Sequence, residues 1–404
     1  MAEWSKTQLS DILVDKGYIR GPFGSALKRG DMKENGVPVY EQQHAIYDSR
    51  GFRYYIDEQK FVEMKRFQVN TDDLIISCSG TVGKVSIIRD DDPKGIISQA
   101  LLLLRVDKNK ILPLYLKYFF SSRDGYNAIV SRSSGSVQVN IAKRDVIEQI
   151  PLMLPKIETQ RKIVGVLNSI DKKIDENERI NKNLLEQALA IYKDWFCDYA
   201  LSDGILPENW KITTIGAISS LVTRGIAPKY DDSSDQIVLN QKCIRDHTID
   251  ISLSRRHLPK KINEKWISKG DLLINSTGTG TLGRVAQVWF EANNMTVDSH
   301  VTIVRPKDPI LQSYIGFWGL SHESEIEAQH TGSTGQTELP RDRVKAMELP
   351  LPDEDTLSKF NELVIPMTST VISNQEENAR LSQLRDALLP KLMSGELDVS
   401  GINI

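Results

Sequence analysis

The chain repeats itself at an offset of about 200 residues. The segment DLIISCSGTVGKV, residues 73–85, matches DLLINSTGTGTLGRV, residues 271–285, with two residues added between the glycines of the later copy. The match continues in the same order in two further pairs of segments: 95–107 with 295–308, and 133–146 with 330–344. Because each copy has the size of an ordinary domain, the sequence predicts one α/β fold of the α+β type built twice, as a tandem repeat.

The later copy contains a glycine pattern that resembles a nucleotide-binding loop. Gly278, Gly280 and Gly283 form G-x-G-x-x-G after an apolar run, and Asp298 follows at about the distance of the dinucleotide fingerprint. The first copy keeps neither this spacing nor the Walker spacing, and the residues after both turns are typical of β-strands rather than of a phosphate-binding helix. We therefore expect a glycine-rich turn between two strands in both copies. A nucleotide-dependent enzyme using residues 278–283 is the least favoured alternative.

Each copy is followed by a long segment whose apolar positions alternate in steps of four and three, which is a heptad rhythm. The positions are Ile163, Leu167, Ile170, Ile174, Asn177, Asn181, Leu184, Ala188, Ile191 and Trp195 in the first segment, and Phe360, Val364, Met367, Val371, Asn374, Asn378, Leu381, Arg385, Leu388 and Leu392 in the second. Asparagine in such a seam typically fixes the register of paired helices. We expect two long, antiparallel-packed helices that act as a spacer, with a kink or break at Pro366. Two helices that each dock only on their own domain are the alternative.

Composition limits the class of protein. The chain has 404 residues, 40% of them apolar, and a net charge of −3, so that binding to nucleic acid would have to depend on local basic clusters. The apolar runs are too short for a signal peptide or a membrane span, and the three cysteines are scattered. We expect a cytoplasmic protein that does not bind a membrane and holds no metal.

The doubled order of these motifs resembles the specificity subunit of type I restriction-modification systems over essentially the whole chain. The resemblance is carried by the two glycine turns and by the two Gly-Ser-x-Gln-like segments, GSVQ at 135–138 and GSTGQ at 332–336. Three further motifs carry it as well: LPKIETQRKIVGVLNSID at 154–171, FGSALKRGD at 23–31 and LPENWKITTIGAI at 206–218. It implies a pseudo-twofold arrangement with target recognition domains at residues 1–155 and 199–352. The two helices, with the C-terminal tail, would occupy residues 156–198 and 353–404.

The same resemblance implies a function and partners. The chain would be a non-catalytic subunit that binds a bipartite site in double-stranded DNA and directs two methyltransferase subunits and the restriction (helicase-nuclease) subunits to it. S-adenosylmethionine, ATP and Mg²⁺ would belong to those partners, and this chain would carry no cofactor. The later helix lacks the Gln-Arg pair of the earlier one and contains Pro366, so its methyltransferase-docking face departs from the family pattern.

Candidate DNA-binding residues are the basic side chains that recur at matched places in the two copies. In the first copy they are Arg50, Arg53, Lys60, Lys65, Arg66, Lys84, Arg132, Lys143 and Arg144; in the second they are Arg255, Arg256, His257, Lys260, Lys261, Lys265, Lys269, Arg284, Arg341 and Arg343. An ordinary solvated surface is the alternative for either cluster taken alone.

Motifs for catalysis are missing from the sequence. An adenine methylase needs an Asn/Asp-Pro-Pro-Tyr/Phe motif, and the chain has no Pro-Pro dipeptide; its six histidines form no H-E-x-x-H pair. A coiled-coil interaction scaffold that does not read DNA remains the alternative function from another class.

Overall fold

The computed structural model describes residues 4–23, 26–133, 139–258, 263–278, 280–332 and 337–402. These residues form two compact units. The first unit comprises Met1–Ile174 and Ala379–Ile404, and the second comprises Asp175–Asn378. Each unit mixes strands and helices, as the sequence predicts.

The first unit contains three sheets. Its strands are β1 Ser5–Gln8, β2 Leu13–Arg20, β3 Val37–Tyr40, β4 Tyr55–Ile56, β5 Leu74–Ser77, β6 Val85–Ile87, β7 Ile96–Ile97, β8 Leu101–Val106 and β9 Pro151–Leu154. Its shorter helices are α1 Gln42–Tyr47, α2 Glu58–Glu63, α3 Pro113–Ser121, α4 Arg123–Val130 and α5 Arg144–Glu148. The strand orders are β2-β8-β5-β6, β4-β3-β7 and β1-β9. The long helix α6, Ile157–Phe196, follows.

The second unit has the same arrangement of sheets. Its strands are β10 Lys211–Thr214, β11 Ser219–Arg224, β12 Ile237–Leu239, β13 Ile244–Arg245, β14 Thr248–Ile249, β15 Arg255–Arg256, β16 Leu272–Asn275, β17 Val285–Gln287, β18 Met295–Val297, β19 Val301–Pro306 and β20 Glu348–Leu351. Its shorter helices are α7 Ile215–Ile218, α8 Gln312–Ser321, α9 Glu323–Ala328 and α10 Arg341–Ala346. The orders β11-β19-β16-β17, β15-β12-β18 and β10-β20 repeat those of the first unit, and the hairpin β13-β14 is an addition.

The last helix, α11, runs from Glu354 to Ser394 and passes Pro366 without interruption. The break into two helices that the sequence allowed therefore does not occur. Phe360 and Val364 before the proline and Val371 after it are buried, and this packing holds both sides of the proline in one helix.

Four asparagines form a polar layer between α6 and α11 within the second unit. The Asn177 side-chain amide donates to Asn378 Oδ1 at 2.9 Å and to Glu377 Oε2 at 2.7 Å. Asn374 donates to Asn181 Oδ1 at 2.8 Å. Because the residue numbers of the partners run in opposite directions, the two helices are antiparallel here. Partnered amides specify one register, since a slip along the seam would leave each of them buried and unpaired.

One inner strand of each four-stranded sheet, β5 in the first unit and β16 in the second, is buried on both faces. In β5, Leu74 and Ile76 pack with Leu167 of α6, whereas Ile75 packs on the opposite side with Tyr40. β16 is buried along its whole length in the same way. An uninterrupted apolar run is what a strand covered on both sides requires.

A buried carboxylate begins each of these strands and is bound by a guanidinium from the neighbouring strand. Arg105 binds Asp73 through two hydrogen bonds of 2.8 and 2.6 Å, and Arg305 binds Asp271 at 2.8 and 2.7 Å. Burial raises the pKa of both carboxyls above the ordinary value, and the facing guanidinium opposes this shift. The aspartate of the repeated sequence motif is therefore a structural residue.

The asparagine pairing predicts a non-additive stability effect. Asn374→Leu alone leaves the Asn181 amide without its partner and should lower the free energy of unfolding by about 1–3 kcal/mol. Asn181→Leu combined with Asn374→Leu replaces a polar pair by an apolar pair and should recover most of that loss. Urea unfolding measures the free energy of unfolding of the single and the double variant. Asn183→Leu, on the exposed side of α6, is the control. Equal losses in the single and double variants would contradict the pairing.

The carboxylate–guanidinium pair predicts a dependence of stability on pH. Arg305→Met leaves Asp271 buried without its cation and should lower the free energy of unfolding at pH 7 by about 3 kcal/mol. Because the folded-state pKa of Asp271 then lies further above its unfolded value, the folded protein takes up a proton as the pH falls, and the loss should shrink toward about pH 5.

Urea unfolding at the two pH values checks this expectation. Asp271→Asn combined with Arg305→Met carries no titratable group at this position and serves as the control. Between the two pH values, its free energy of unfolding should change no more than that of the wild-type chain. A loss in Arg305→Met that does not change with pH would show that Asp271 is solvated rather than buried as a charge.

Candidate nucleic-acid interface

The glycine-rich segments are turns between antiparallel strands, as predicted. β5 pairs with β6, with Leu74 opposite Ile87, and β16 pairs with β17, with Leu272 opposite Gln287. Gly283 has a φ of +86°, and a Cβ atom there would lie 2.6 Å from Glu327 Cβ on α9. The glycine is needed for the backbone conformation and for the close approach of a helix. In both units a strand follows the turn, so the local structure is not that of a phosphate-binding loop.

A second segment packs against each turn. In the first unit, Ile141 N donates to Cys78 O at 2.9 Å and Gly80 N donates to Val139 O at 2.8 Å. In the second, Leu339 N donates to Ser276 O at 2.8 Å. These contacts bring the residues that follow the two Gly-Ser-x-Gln-like segments, 139–146 and 337–344, beside the turns. Residues 134–138 and 333–336 lie outside the described part of the chain.

Two of the predicted DNA-binding residues, Arg50 and His257, are the least exposed of the described candidates in their clusters. Arg50 is half-buried and binds Asp92 at 2.6 Å, Asp48 at 3.1 Å and the carbonyl of Ile87 at 2.9 Å. It joins the segment after α1 to β6 and is not presented at the surface. His257 is fully buried. It directly follows the exposed pair Arg255–Arg256 of β15, and its backbone N–H donates to the carbonyl of Gln236 at 3.1 Å.

The remaining candidates between residues 53 and 66 lie at or near the surface of the first unit. Arg53 is 62% exposed, although it makes hydrogen bonds of 3.0 and 2.6 Å to Glu41 and lies over the Tyr54 ring. Lys60 binds Glu63 at 3.3 Å, whereas Lys65 and Arg66 are exposed. The interleaved acidic residues therefore neutralise part of this cluster.

Three of the four candidates near the glycine turn of the first unit are exposed. Lys84 is exposed and lies 5.0 Å from the centre of the Tyr126 ring. Lys143 is exposed, and Arg144 is exposed while it binds Glu148 at 2.8 Å. Arg132 is half-buried and donates to the carbonyl of Ala128.

In the second unit, the candidates on β15 are exposed. Arg255 lies 3.5 Å from the centre of the Tyr230 ring, and Arg256 donates to the carbonyl of Ser234 at 2.8 Å. Lys269 is exposed and lies 3.6 Å from Glu291. Lys260 and Lys261 lie outside the described residues.

A cleft of about 340 Å³ in the second unit brings together candidates that are distant in sequence. It is lined by Lys265, Arg341 and a residue that the sequence analysis missed, Arg224. Arg224 binds Glu338 at 2.8 Å and the carbonyl of Leu339 at 2.9 Å, so it fixes the second segment beside the turn. An arginine followed by a glycine ends the equivalent strand of the first unit at Arg20, and that recurrence was visible in the sequence.

The other two candidates of the second unit flank this cleft and the turn. Arg343 is exposed and lies 3.3 Å from the carbonyl of Gln329. Arg284 follows Gly283 and is half-buried, and its charge helps to lower the pKa of Glu323, for which a hydrogen bond from His247 is a larger cause. Each unit thus carries cations around its glycine turn, and those at the second segment, Lys143 and Arg341, are exposed in both.

Comparisons with known proteins agree with this architecture. Residues 1–186 match the family model described as the type I restriction modification DNA specificity domain. The type I restriction enzyme MjaIX specificity subunit of Methanocaldococcus jannaschii is 24% identical over 375 residues, which cover 88% of this chain and 84% of that protein. The HindI specificity subunit of Haemophilus influenzae is 22% identical over 388 residues, covering 78% and 84%.

A solved structure shares the fold along nearly the whole chain. The crystal structure of the type I restriction-modification system S subunit from M. genitalium covers 97% of this chain and 96% of its own, with a TM-score of 0.59 at 15% identity. No helix in the described ranges is long and apolar enough to cross a membrane. In the domain matched by residues 1–186, in its relatives and in its fold, the chain is similar to the specificity subunits of type I restriction-modification systems.

Proposed function

We propose that this chain is the DNA-reading subunit of a type I restriction-modification complex and that it binds a bipartite site in double-stranded DNA, one half to each unit. The duplicated architecture is the observation that supports this most. Two units with the same strand orders carry the same glycine turn and the same adjoining segment, while their surface residues differ. Two units that share a fold but differ in their surface residues are suited to recognising two different half-sites.

The matched cations supply contacts to the phosphates. Arg144 and Arg341 occupy equivalent places as the first residues of α5 and α10 beside the two turns, and both are exposed, as is Lys143. Lys84 and Arg284 occupy equivalent places at the ends of the turns. Phosphate contacts position a protein on the duplex, whereas forked side chains such as Arg255 and Arg256 can read base edges in the major groove. Because the net charge of the chain is −3, these local groups have to provide the attraction.

The proposed partners follow from the family and from the names of the relatives. Two methyltransferase subunits and the restriction subunits would assemble with this chain, and S-adenosylmethionine, ATP and Mg²⁺ would bind to them. We propose α6 and α11 as the elements on which the methyltransferases dock. The departures of α11, which lacks the Gln-Arg pair and contains Pro366, would make the two docking faces unequal.

We also propose that the two long helices act as a spacer that sets the number of base pairs between the half-sites. Each helix has about 40 residues, which corresponds to a length of roughly 60 Å. The asparagine layer specifies one register between them, and a fixed register would give a fixed spacing.

The DNA-reading proposal is tested by the dependence of binding on salt. Lys143→Ala and Arg341→Ala should each reduce the slope of log affinity against log salt by about one unit, because each removes one phosphate contact and its counterion release. The measurement uses the chain with its methyltransferase subunits and random-sequence duplexes. Lys108→Ala removes an exposed cation at the end of β5 that is opposite to the glycine turn, and it is the control. An unchanged slope in both variants would assign these cations to a solvated surface and favour the scaffold alternative.

The spacer proposal is tested by inserting four residues after Asp171 in α6. The insertion shifts one helix along the seam by about one turn. It should change the preferred spacing between the half-sites, or abolish site-specific methylation, while both half-site sequences stay the same. Mapping of methylated sites in a host that carries the variant complex gives the result. The original spacing with full activity would show that the helices do not determine it.

A further inference from the structure

We infer that Gln42 and Gln241 are positioning residues that fix each glycine turn to the segment carrying the basic candidates of the same unit. This inference rests on the proposed function, because its consequence is the accuracy with which each unit presents its cations to DNA. Neither glutamine belongs to the sequence motifs that identify the family resemblance.

In the first unit, Gln42 begins α1 directly after β3 and Glu41. Its side-chain oxygen Oε1 accepts hydrogen bonds from Ser79 N at 2.9 Å and from Cys78 N at 3.2 Å. Ser79 lies at the start of the glycine turn. Since β3 belongs to the three-stranded sheet and the turn to the four-stranded sheet, one side chain joins the two sheets.

In the second unit, Gln241 has the equivalent place after β12 and Asn240. Its nitrogen Nε2 donates to the carbonyl and to the hydroxyl of Thr277, the residue that matches Ser79 in the repeat. A Cβ atom at Gly278, where φ is +99°, would lie 2.7 Å from this nitrogen. The turn therefore keeps a glycine at the point where the glutamine reaches it.

The two glutamines serve the same purpose with opposite ends of the amide. At Gln42 the partners are two backbone N–H groups, so only the oxygen can bind them. At Gln241 one partner is a carbonyl oxygen, which accepts only, so the nitrogen must face it. The orientation of each amide is therefore determined by chemistry.

The segments joined in this way carry the basic candidates. The chain that follows Gln42 contains Arg53, Lys65 and Arg66, and the turn that Gln42 holds ends at Lys84. The chain that follows Gln241 contains Arg255 and Arg256, and its turn ends at Arg284. A bond between the two parts keeps both sets of cations in one arrangement, which a recognition surface needs.

Because the two units use opposite ends of the amide, replacing the glutamine by glutamate should have a different effect in each unit. Gln42→Glu keeps an oxygen acceptor for the two N–H groups, so DNA selection should remain as in the wild-type chain, with affinity within about two-fold. Gln241→Glu loses the donor and places a carboxylate against a carbonyl. The affinity for duplexes selected by the wild-type chain should fall at least about ten-fold, and one half-site should lose its sequence preference.

The measurement uses the full chain with its methyltransferase subunits and a pool of duplexes with randomised positions, sequenced after selection. Two further variants remove the hydrogen bonds without adding charge: Gln42→Leu and Gln241→Leu should each erase the preference at one half-site, and a different one in each case. Thermal unfolding of every variant accompanies the selection.

The outcomes separate this inference from the proposed function. If the wild-type complex selects no bipartite motif, the proposed function fails. If it selects one and Gln42→Glu and Gln241→Glu behave alike, or Gln241→Glu keeps both preferences, the positioning role is overturned. Glu and Leu variants at position 241 that both fail to fold would also overturn it, because the glutamine would then be required for the fold itself.

Discussion

Burying a carboxylate away from water costs several kcal/mol unless hydrogen-bond donors replace the water. Each unit of this chain buries one carboxylate together with its donors, directly before an inner strand of the four-stranded sheet. Asp73 receives the Arg105 guanidinium and the backbone N–H of Asn70, and Asp271 receives Arg305 and the N–H of Ser268. The pair fixes where the strand starts and joins it to its neighbour in the sheet. Because the strand is then buried on both faces, the glycine turn emerges at a defined place at its other end.

The two units keep this frame while their interiors differ. In the second unit, Ser276 and Thr302 share a buried hydrogen bond, whereas the matching residues of the first unit are Cys78 and Leu102. The second unit also contains an aromatic cluster that includes Tyr192, Phe196, Trp210, Tyr314 and Phe360, and the described residues of the first unit form no aromatic cluster of that size. The first unit instead has a cavity of about 910 Å³, lined by Trp4, Phe119, Ile163, Met393 and others. The shared fold is therefore specified by strand pattern, glycines and the ion pair, and the packing of large side chains is free to vary.

The features that could be predicted from sequence are those that local pattern determines. The repeat, the strand-turn-strand reading of the glycine motif and the heptad rhythm all follow from spacing along the chain. The side-chain partners do not. Arg50 and His257 carry the charge or the ring expected of a DNA contact, but Arg50 binds Asp92 and is half-buried, and His257 is fully buried. Pro366 lies within one continuous helix because buried residues on both sides of it outweigh a local preference.

Arg224 and Gln241 were missed for the same physical reason. Their importance lies in contacts with residues 339 and 277, far away in sequence, and only the fold brings these groups together. Recurrence between the copies was the available signal: Arg-Gly ends both β2 and β11, and a glutamine follows both β3 and β12. A recurring polar residue in a tandem repeat is thus as informative as a recurring apolar one, provided that the two copies are compared with each other.

Some basic residues are bound inside a unit and others are exposed, and this difference bears on how such a subunit could change its DNA target. Arg105, Arg305, Arg50 and Arg224 are bound to carboxylates or carbonyls inside a unit, so replacing them would disturb the fold. Lys143, Arg341, Arg255 and Arg256 are exposed. Main-chain hydrogen bonds join the segments of Lys143 and Arg341 to the glycine turns, and Arg255 and Arg256 lie on β15, which pairs with β12. Under the proposed function, substitutions at the exposed positions could alter the bases that are read while the stability of the unit is maintained. The duplication would allow each half-site to change on its own, because each unit has its own carboxylate–guanidinium pair and its own glutamine bound to the glycine turn.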